Sequence, residues 1–302
     1  SQPALSQQIQ ALESELDTRL FDRTNKGVIL TSSGKVVYAH CKKIFGAIND
    51  LKTAINDLNE GTSGELLLGT VNSIGIHVLP NFIKQYKANH PGVRLSVKYK
   101  PSEEVIQMLL EDQLDAAIIA TNRTYQNLVQ INFLENEMYL VTSPHHPFTE
   151  KETISLSDLQ GQELIAFDKK TPTRAMVDEL LSQRGIDMNI TLESENIETI
   201  KTMVSIGMGV AFIPEHAIRL ELRTGLLKRI QIDEPLPLKR NVSLLYKENR
   251  YLTKAAEEFV QLFDGANAEK LLSEDPCLQI CSPHPFSAHL EDLESDPTCH
   301  FQ

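Results

Sequence analysis

Between Glu65 and Ile213 the chain runs twice through the series strand, helix, strand, helix, strand, and this repetition limits its fold more than any other feature. Glu65–Thr70 reads as a buried strand and Val78–His90 as an amphipathic helix stopped by Pro91-Gly92. Val93–Tyr99 alternates as a strand, Ser102–Glu111 reads as a helix capped by Ser102, and Leu114–Ala120 is a further buried strand. The series returns as Glu163–Phe167, Arg174–Arg184, Ile190–Glu193, Ile197–Ile206 and Val210–Ile213. Met138–Thr142 is expected to cross between the two units, Asn241–Tyr246 to return, and Lys254–Phe263 to close the domain. The fold class is therefore α/β. Lobe I covers about residues 65–137 and 247–263, lobe II about 143–240, within one two-lobed domain over 65–263. Strand carboxyl ends and helix N-termini then face a cleft, which is where open α/β sheets bind small ligands. The first helix of each lobe is expected to begin near Ser73–Ile76 and Thr171–Thr173. Helix N-termini favour negative charge, so a small carboxylate or phosphate is the expected occupant.

The first 60 residues are organised differently. Ser1-Gln2-Pro3-Ala4-Leu5-Ser6-Gln7-Gln8 opens a helix with small and amide side chains, slim enough to approach base edges in a DNA groove. Leu5, Ile9, Leu12, Leu16 and Leu20 recur at steps of four, three, four and four, which is one helical face. A basic turn at Arg23 and Lys26 follows, and Gly27–Thr31 completes a wing. No helix precedes this one to brace it, so the chain reads as a partial winged helix-turn-helix over 1–31, truncated within the motif. From Ser32 to Glu60 a single long helix is expected. Val37, Cys41, Ile44, Ile48, Leu51, Ile55 and Leu58 are spaced alternately by four and three, a heptad seam. A helix packed on its own domain would also need an apolar stripe. The 3.5-residue period and the charged remaining faces favour a dimerisation helix. Gly61-Thr-Ser-Gly64 reads as a hinge.

Net charge is −12, which by itself does not suggest a nucleic-acid partner. Its distribution matters more: residues 1–60 hold seven basic and seven acidic side chains, while residues 264–302 hold one Lys and eight acids. No run approaches the roughly 20 apolar residues of a membrane span. No secretory signal is recognised, so a cytoplasmic location is expected, with the four cysteines reduced. Gly207-Met-Gly209 precedes a strand rather than following one, against a dinucleotide loop, and Gly61–Gly64 does not fit G-x-S-x-G. Cys277, Cys281, His284, His289, Cys299 and His300 lie in a proline-interrupted acidic tail, expected to be disordered from residue 264 and matching no standard metal spacing. Neither a metal nor a cofactor is expected.

The run SQPALS-QQI-ALE-EL followed by RLF-R and LT-G resembles the LysR-type transcriptional regulators, and the resemblance extends to about Phe263. It implies a winged helix-turn-helix, a linker helix and a two-lobed effector domain of the periplasmic-binding-protein-like (type 2) kind. It implies a DNA-binding transcriptional regulator rather than an enzyme, with promoter DNA, a small effector, a second copy of itself as dimer and then tetramer, and RNA polymerase as partners. Carried across, the DNA contacts are Gln2, Pro3, Ser6, Gln7, Arg23 and Lys26. Gln7 stands where the family usually has Arg, which favours adenine over guanine; Lys26 keeps a charge but loses a planar fork. The effector contacts are Thr70, Ser73, Lys100, Ser102, Thr121, Phe167, Lys169 and Ile197, with Ser73 and Ser102 foremost. A periplasmic-type ligand-binding protein is the alternative, but it accounts for neither the reading helix nor the heptad rod.

Overall fold

The computed structural model describes residues 2–24, 27–60 and 64–273. Lys26, residues 61–63 of the expected hinge and residues 274–302 of the tail lie outside the described residues, as do the side chains of Gln2, Arg23 and Leu58.

Helix α1 (Gln2–Glu15) leads into a hairpin of β1 (Phe21–Thr24) and β2 (Gly27–Leu30), and α2 (Ser32–Glu60) follows as a 29-residue rod. The expectation that Leu20 shares the face of α1 is corrected. The helix ends at Glu15, Asp17 turns the chain with φ +48°, and the Glu13 carboxylate accepts the backbone N–H of Leu20 at 2.6 Å and of Phe21 at 3.1 Å. Leu20 is still buried, against the start of α2. The LT-G motif explains itself here. Thr31 Oγ1 accepts the Gly34 N–H at 2.9 Å, starting α2, and donates to the Arg19 carbonyl at 2.7 Å. A Cβ on Gly34 would sit 2.0 Å from the Leu20 carbonyl oxygen, so only glycine admits this approach.

Lobe I begins with β3 (Gly64–Thr70), α3 (Asn72–His77), α4 (Leu79–Asn89), β4 (Val93–Tyr99), α5 (Ser102–Leu110) and β5 (Ala116–Ala120). Strand β6 (Leu128–Thr142) leaves it for lobe II, which holds β7 (Glu163–Phe167), α6 (Pro172–Gln183), β8 (Asn189–Ser194), α7 (Ile197–Ser205), β9 (Ala211–Pro214), α8 (Arg219–Thr224) and β10 (Lys228–Arg229). Strand β11 (Lys239–Lys247) returns, and α9 (Lys254–Val260) and α10 (Gly265–Ser273) close lobe I.

In lobe I, β3 lies parallel between β4 and β5, and β11 runs antiparallel to β5. Strand β6 serves both lobes. Its first part pairs with β11, and its last five residues pair with β9 and β10. Both crossovers are therefore longer than expected, because each strand keeps its backbone hydrogen-bonded on the way from one lobe to the other. In lobe II, β7 and β8 are parallel and a bridge at Leu164–Val210 ties them to the chain entering β9.

The cores follow the pleat. Ala116, Ile118 and Ala120 of β5 face one apolar cluster with Phe82, Tyr86, Phe259 and Phe263, while Ala117 and Ile119 face another with Val105 and Leu109. A third cluster fills lobe II around Leu164, Val177, Ile200 and Phe212. Two further expectations are corrected. Pro101, not Ser102, is the N-cap of α5, and Ser102 lies inside its first turn with no side-chain cap bond. The tail does not begin at residue 264, because α10 buries Ala268 and Leu271 on the lobe I core and Asn81 donates to the Leu271 carbonyl at 2.8 Å.

Candidate functional site

The two lobes and the returning crossover enclose a cavity of about 570 Å³. Its walls are strand ends and helix starts, as the alternating pattern requires. Lobe I supplies the turn after β3 (Val71–Ser73), the exit of β4 (Tyr99–Pro101) and the first turn of α5. Lobe II supplies Phe167 at the end of β7, the loop into α6 (Lys170–Thr173) and Glu195; Arg240 comes from β11.

Four of the eight expected effector residues line this cavity: Ser73, Lys100, Ser102 and Phe167. Four do not. The Thr70 hydroxyl is buried in the sheet and donates to the Ile118 carbonyl at 2.7 Å. Thr121 is buried and its hydroxyl accepts the Arg123 N–H at 3.0 Å, closing a local turn. Lys169 points away as a loosely paired surface cation, 4.0 Å from Glu193, while its neighbour Lys170 takes the lining position. Ile197 belongs to the lobe II core. Each stands one or two positions from a lining residue, which is the margin by which a strand pleat or helix turn reverses a side chain's direction.

The polar groups of the cavity differ in depth. Lys100 and Glu104 are exposed and pair at 3.1 Å on the lobe I rim. Helix α6 starts with Thr171, whose hydroxyl accepts the Arg174 N–H at 3.2 Å, so this helix is capped by its own sequence. Arg240 lies at the back and is 5% exposed. Its Nη1 donates to Thr173 Oγ1 at 2.8 Å, and burial pushes its pKa down to about 10. Beside it is the half-buried His216, with Nδ1 against the Asn136 amide and Nε2 screened from solvent. Burial, and then the charge of Arg240, hold His216 well below the usual histidine range, so it is neutral at pH 7. Arg240 escaped the sequence reading because it precedes the apolar run Asn241–Tyr246. Its one signal was a basic pair, Lys239-Arg240, at the mouth of a buried strand.

The lobes also touch behind the cavity, where His77 of α3 meets Glu198 of α7 at 2.8 Å. Both helices begin beside cavity-lining residues, so movement of one lobe against the other reaches this contact.

At the other end of the molecule, Pro3, Ser6 and Gln7 are all exposed on α1. Along α2, Ile44, Ile48, Leu51 and Ile55 are exposed, and Val37 and Cys41 half-buried. Cys41 borders a groove between α2 and lobe I, with Tyr38, Phe45, Asp112 and Arg250. Among the described residues, no cluster of three or more metal-ligating side chains occurs and no helix is long and apolar enough to cross a membrane.

Known proteins match this architecture in both halves. Residues 1–35 match the bacterial regulatory helix-turn-helix protein of the lysR family, and residues 59–268 match the LysR substrate binding domain. A probable RuBisCO transcriptional regulator from Trichormus variabilis is 34% identical over 267 residues, covering 86% of this chain and 79% of that protein. Among solved structures, a full-length OxyR variant from Pseudomonas aeruginosa superposes with a TM-score of 0.67 at 24% identity, over 90% of this chain and 85% of that one. The regulatory domain of Synechocystis CcmR in complex with 2-PG gives a TM-score of 0.61 at 23% identity, over 67% of this chain and 96% of that one. With a DNA-reading motif and a ligand-binding domain matched in their proper order, the chain belongs to the LysR family of transcriptional regulators, DNA-binding proteins modulated by a small-molecule effector.

Proposed function

We propose that this regulator senses a small organic anion in the inter-lobe cavity and converts its occupancy into a change in how paired reading heads sit on promoter DNA. The observation that carries the reading is the cavity's construction from both lobes and a crossover, so that a ligand filling it touches parts able to move relative to one another. A ligand favouring one lobe spacing shifts the population toward it, and the chain between α2 and β3 transmits the shift. Small phosphorylated or carboxylated metabolites are the candidate class; the CcmR regulatory domain, which shares this fold, is itself in complex with 2-PG.

The DNA contacts we assign are Gln2, Pro3, Ser6 and Gln7 to the major groove, with Arg23 and Lys26 on phosphates or the minor groove. The exposed row Ile44, Ile48, Leu51 and Ile55 supports a parallel role for α2 as the dimer seam, with tetramers built from dimers and contacts to RNA polymerase at the promoter. We assign the chain no catalytic step. Among the described residues, neither His nor Cys lines the cavity to pair with its hydroxyls as base or nucleophile.

Selection of bound duplexes from a random-sequence pool tests the reading. A sequence preference is expected, with log affinity falling against log salt at a slope of about −4, as Arg23, Lys26 and their dimer mates displace counterions. Binding without sequence preference would refute it.

A further inference from the structure

Arg240 is buried without the partners that a buried guanidinium needs. Its Nε and Nη2 have neither a hydrogen-bond partner nor solvent among the described residues; only Nη1 is engaged, by Thr173. No carboxylate forms an ion pair with it among the described residues. The cavity's acids, Glu103, Glu104 and Glu195, are all exposed at the rim. On the facing strand its Cα partner is Asn136, whose amide is committed to His216, and the flanking acids Glu135 and Glu137 pair with Lys239 instead. His216 is neutral, so it adds no second charge beside Arg240 in this part of the cavity wall. A buried cation left in this state destabilises the fold unless something neutralises it.

We infer that Arg240 is the charge anchor for the cavity's ligand, holding a carboxylate or phosphate oxyanion on the guanidinium edge formed by Nε and Nη2. This rests on the effector reading above and deepens it by assigning the group that fixes the ligand's charge and orientation. A planar edge with two parallel N–H donors matches the two oxygens of an oxyanion, which an ammonium group cannot do. Thr173 holds Nη1 and sets the direction of that edge. Because Nε and Nη2 are screened from solvent in this arrangement, the ligand reaches them as the lobes part. Occupancy therefore selects a lobe spacing, as an effector must.

Thermal unfolding of the full chain at constant ionic strength tests this, with chloride replaced in turn by inorganic phosphate, acetate and malonate. At least one oxyanion should raise the melting temperature by about 2 °C or more. Arg240→Met should melt higher than wild type in chloride, because it removes an unpaired buried charge, and should lose the oxyanion shift. Arg240→Lys, which keeps the charge without the fork, should retain only part of it. A response to phosphate alone assigns a phosphomonoester, and a response to the carboxylates alone assigns a carboxylate; either supports the anchor. The inference is overturned if no oxyanion stabilises wild type, if Arg240→Met responds equally, or if that variant melts lower in chloride. Failure of the duplex selection would end the regulator reading while leaving this result standing.

Discussion

The two-lobed part and the N-terminal sixty residues solve the problem of burial in opposite ways. From β3 onward the chain covers its own apolar side chains. Three clusters fill the two lobes, and α10 adds Ala268 and Leu271 to one of them. In the N-terminal part, Leu5 on α1 and four of the seam residues of α2 remain exposed, Leu51 at 61%. A helix of this length with an uncovered heptad stripe is stable only with a partner surface. The lobes cover their own apolar side chains, whereas the rod and the N-terminal helix leave theirs open to a partner surface.

The largest effect that would break this contrast is on assembly. Leu51→Asp puts a carboxylate in the middle of the seam and should weaken dimerisation by roughly 3 kcal/mol or more, over a hundredfold in dissociation constant, while the lobes unfold as before. Light scattering across a dilution series reads the first and urea unfolding the second. An unchanged mass would mean that the lobes alone hold the copies together.

A second test separates the two buried arginines. Arg174 is 3% exposed but fully engaged, with Asp178 at 2.6 Å, Glu193 at 2.7 Å and the Phe167 carbonyl at 3.0 Å. Arg174→Met should therefore destabilise lobe II by about 1–2 kcal/mol, since it leaves the buried Phe167 carbonyl without its donor while Asp178 and Glu193 fall back on solvent. Arg240→Met should do the reverse. Denaturant midpoints of equal sign for the two variants would abolish the distinction between a structural and a ligand-facing arginine.

The smallest effect concerns the inter-lobe contact. Burial works against the charged form of Glu198, but hydrogen bonds and charge from His77 and Lys201 outweigh it and lower its pKa. Its contribution is thus present above the ordinary carboxylate range and is lost as pH falls through the lowered folded value. Glu198 is more than a third exposed, so the effect should stay below about 1 kcal/mol. Wild type and Glu198→Gln should converge in melting temperature as pH drops below the carboxylate range; a constant gap would remove the ion pair from the account.

The architecture was legible to different depths. The apolar run within Glu65–Thr70, the stop at Pro91-Gly92 and the helix start near Thr171–Thr173 are local signals, and the elements stand at or beside where those signals put them. The cavity wall was legible only as segments. Ser73, Ser102 and Phe167 lie on it, but Thr70 turns into the sheet and Thr121 closes a local turn, each satisfying a backbone group. Helix α1 shows the same limit. Leucine spacing continued the helix to Leu20, yet Glu13 found a better use in accepting two backbone N–H groups beyond the helix end.

Sequence alone determined the order of parts: a reading helix with a wing, a heptad rod, and two α/β lobes joined by crossovers. Periodicity and turn residues act over a few neighbours and survive without knowledge of distant contacts. Tertiary structure decided which side chains share the cavity and which of two buried arginines is left without a counter-charge. Arg174 has Asp178 one helical turn away, whereas the surroundings of Arg240 come from β6, α6 and the turn after β3, segments far apart in sequence. Whether a charge is satisfied depends on everything that packs around it, and that is settled only when the lobes close.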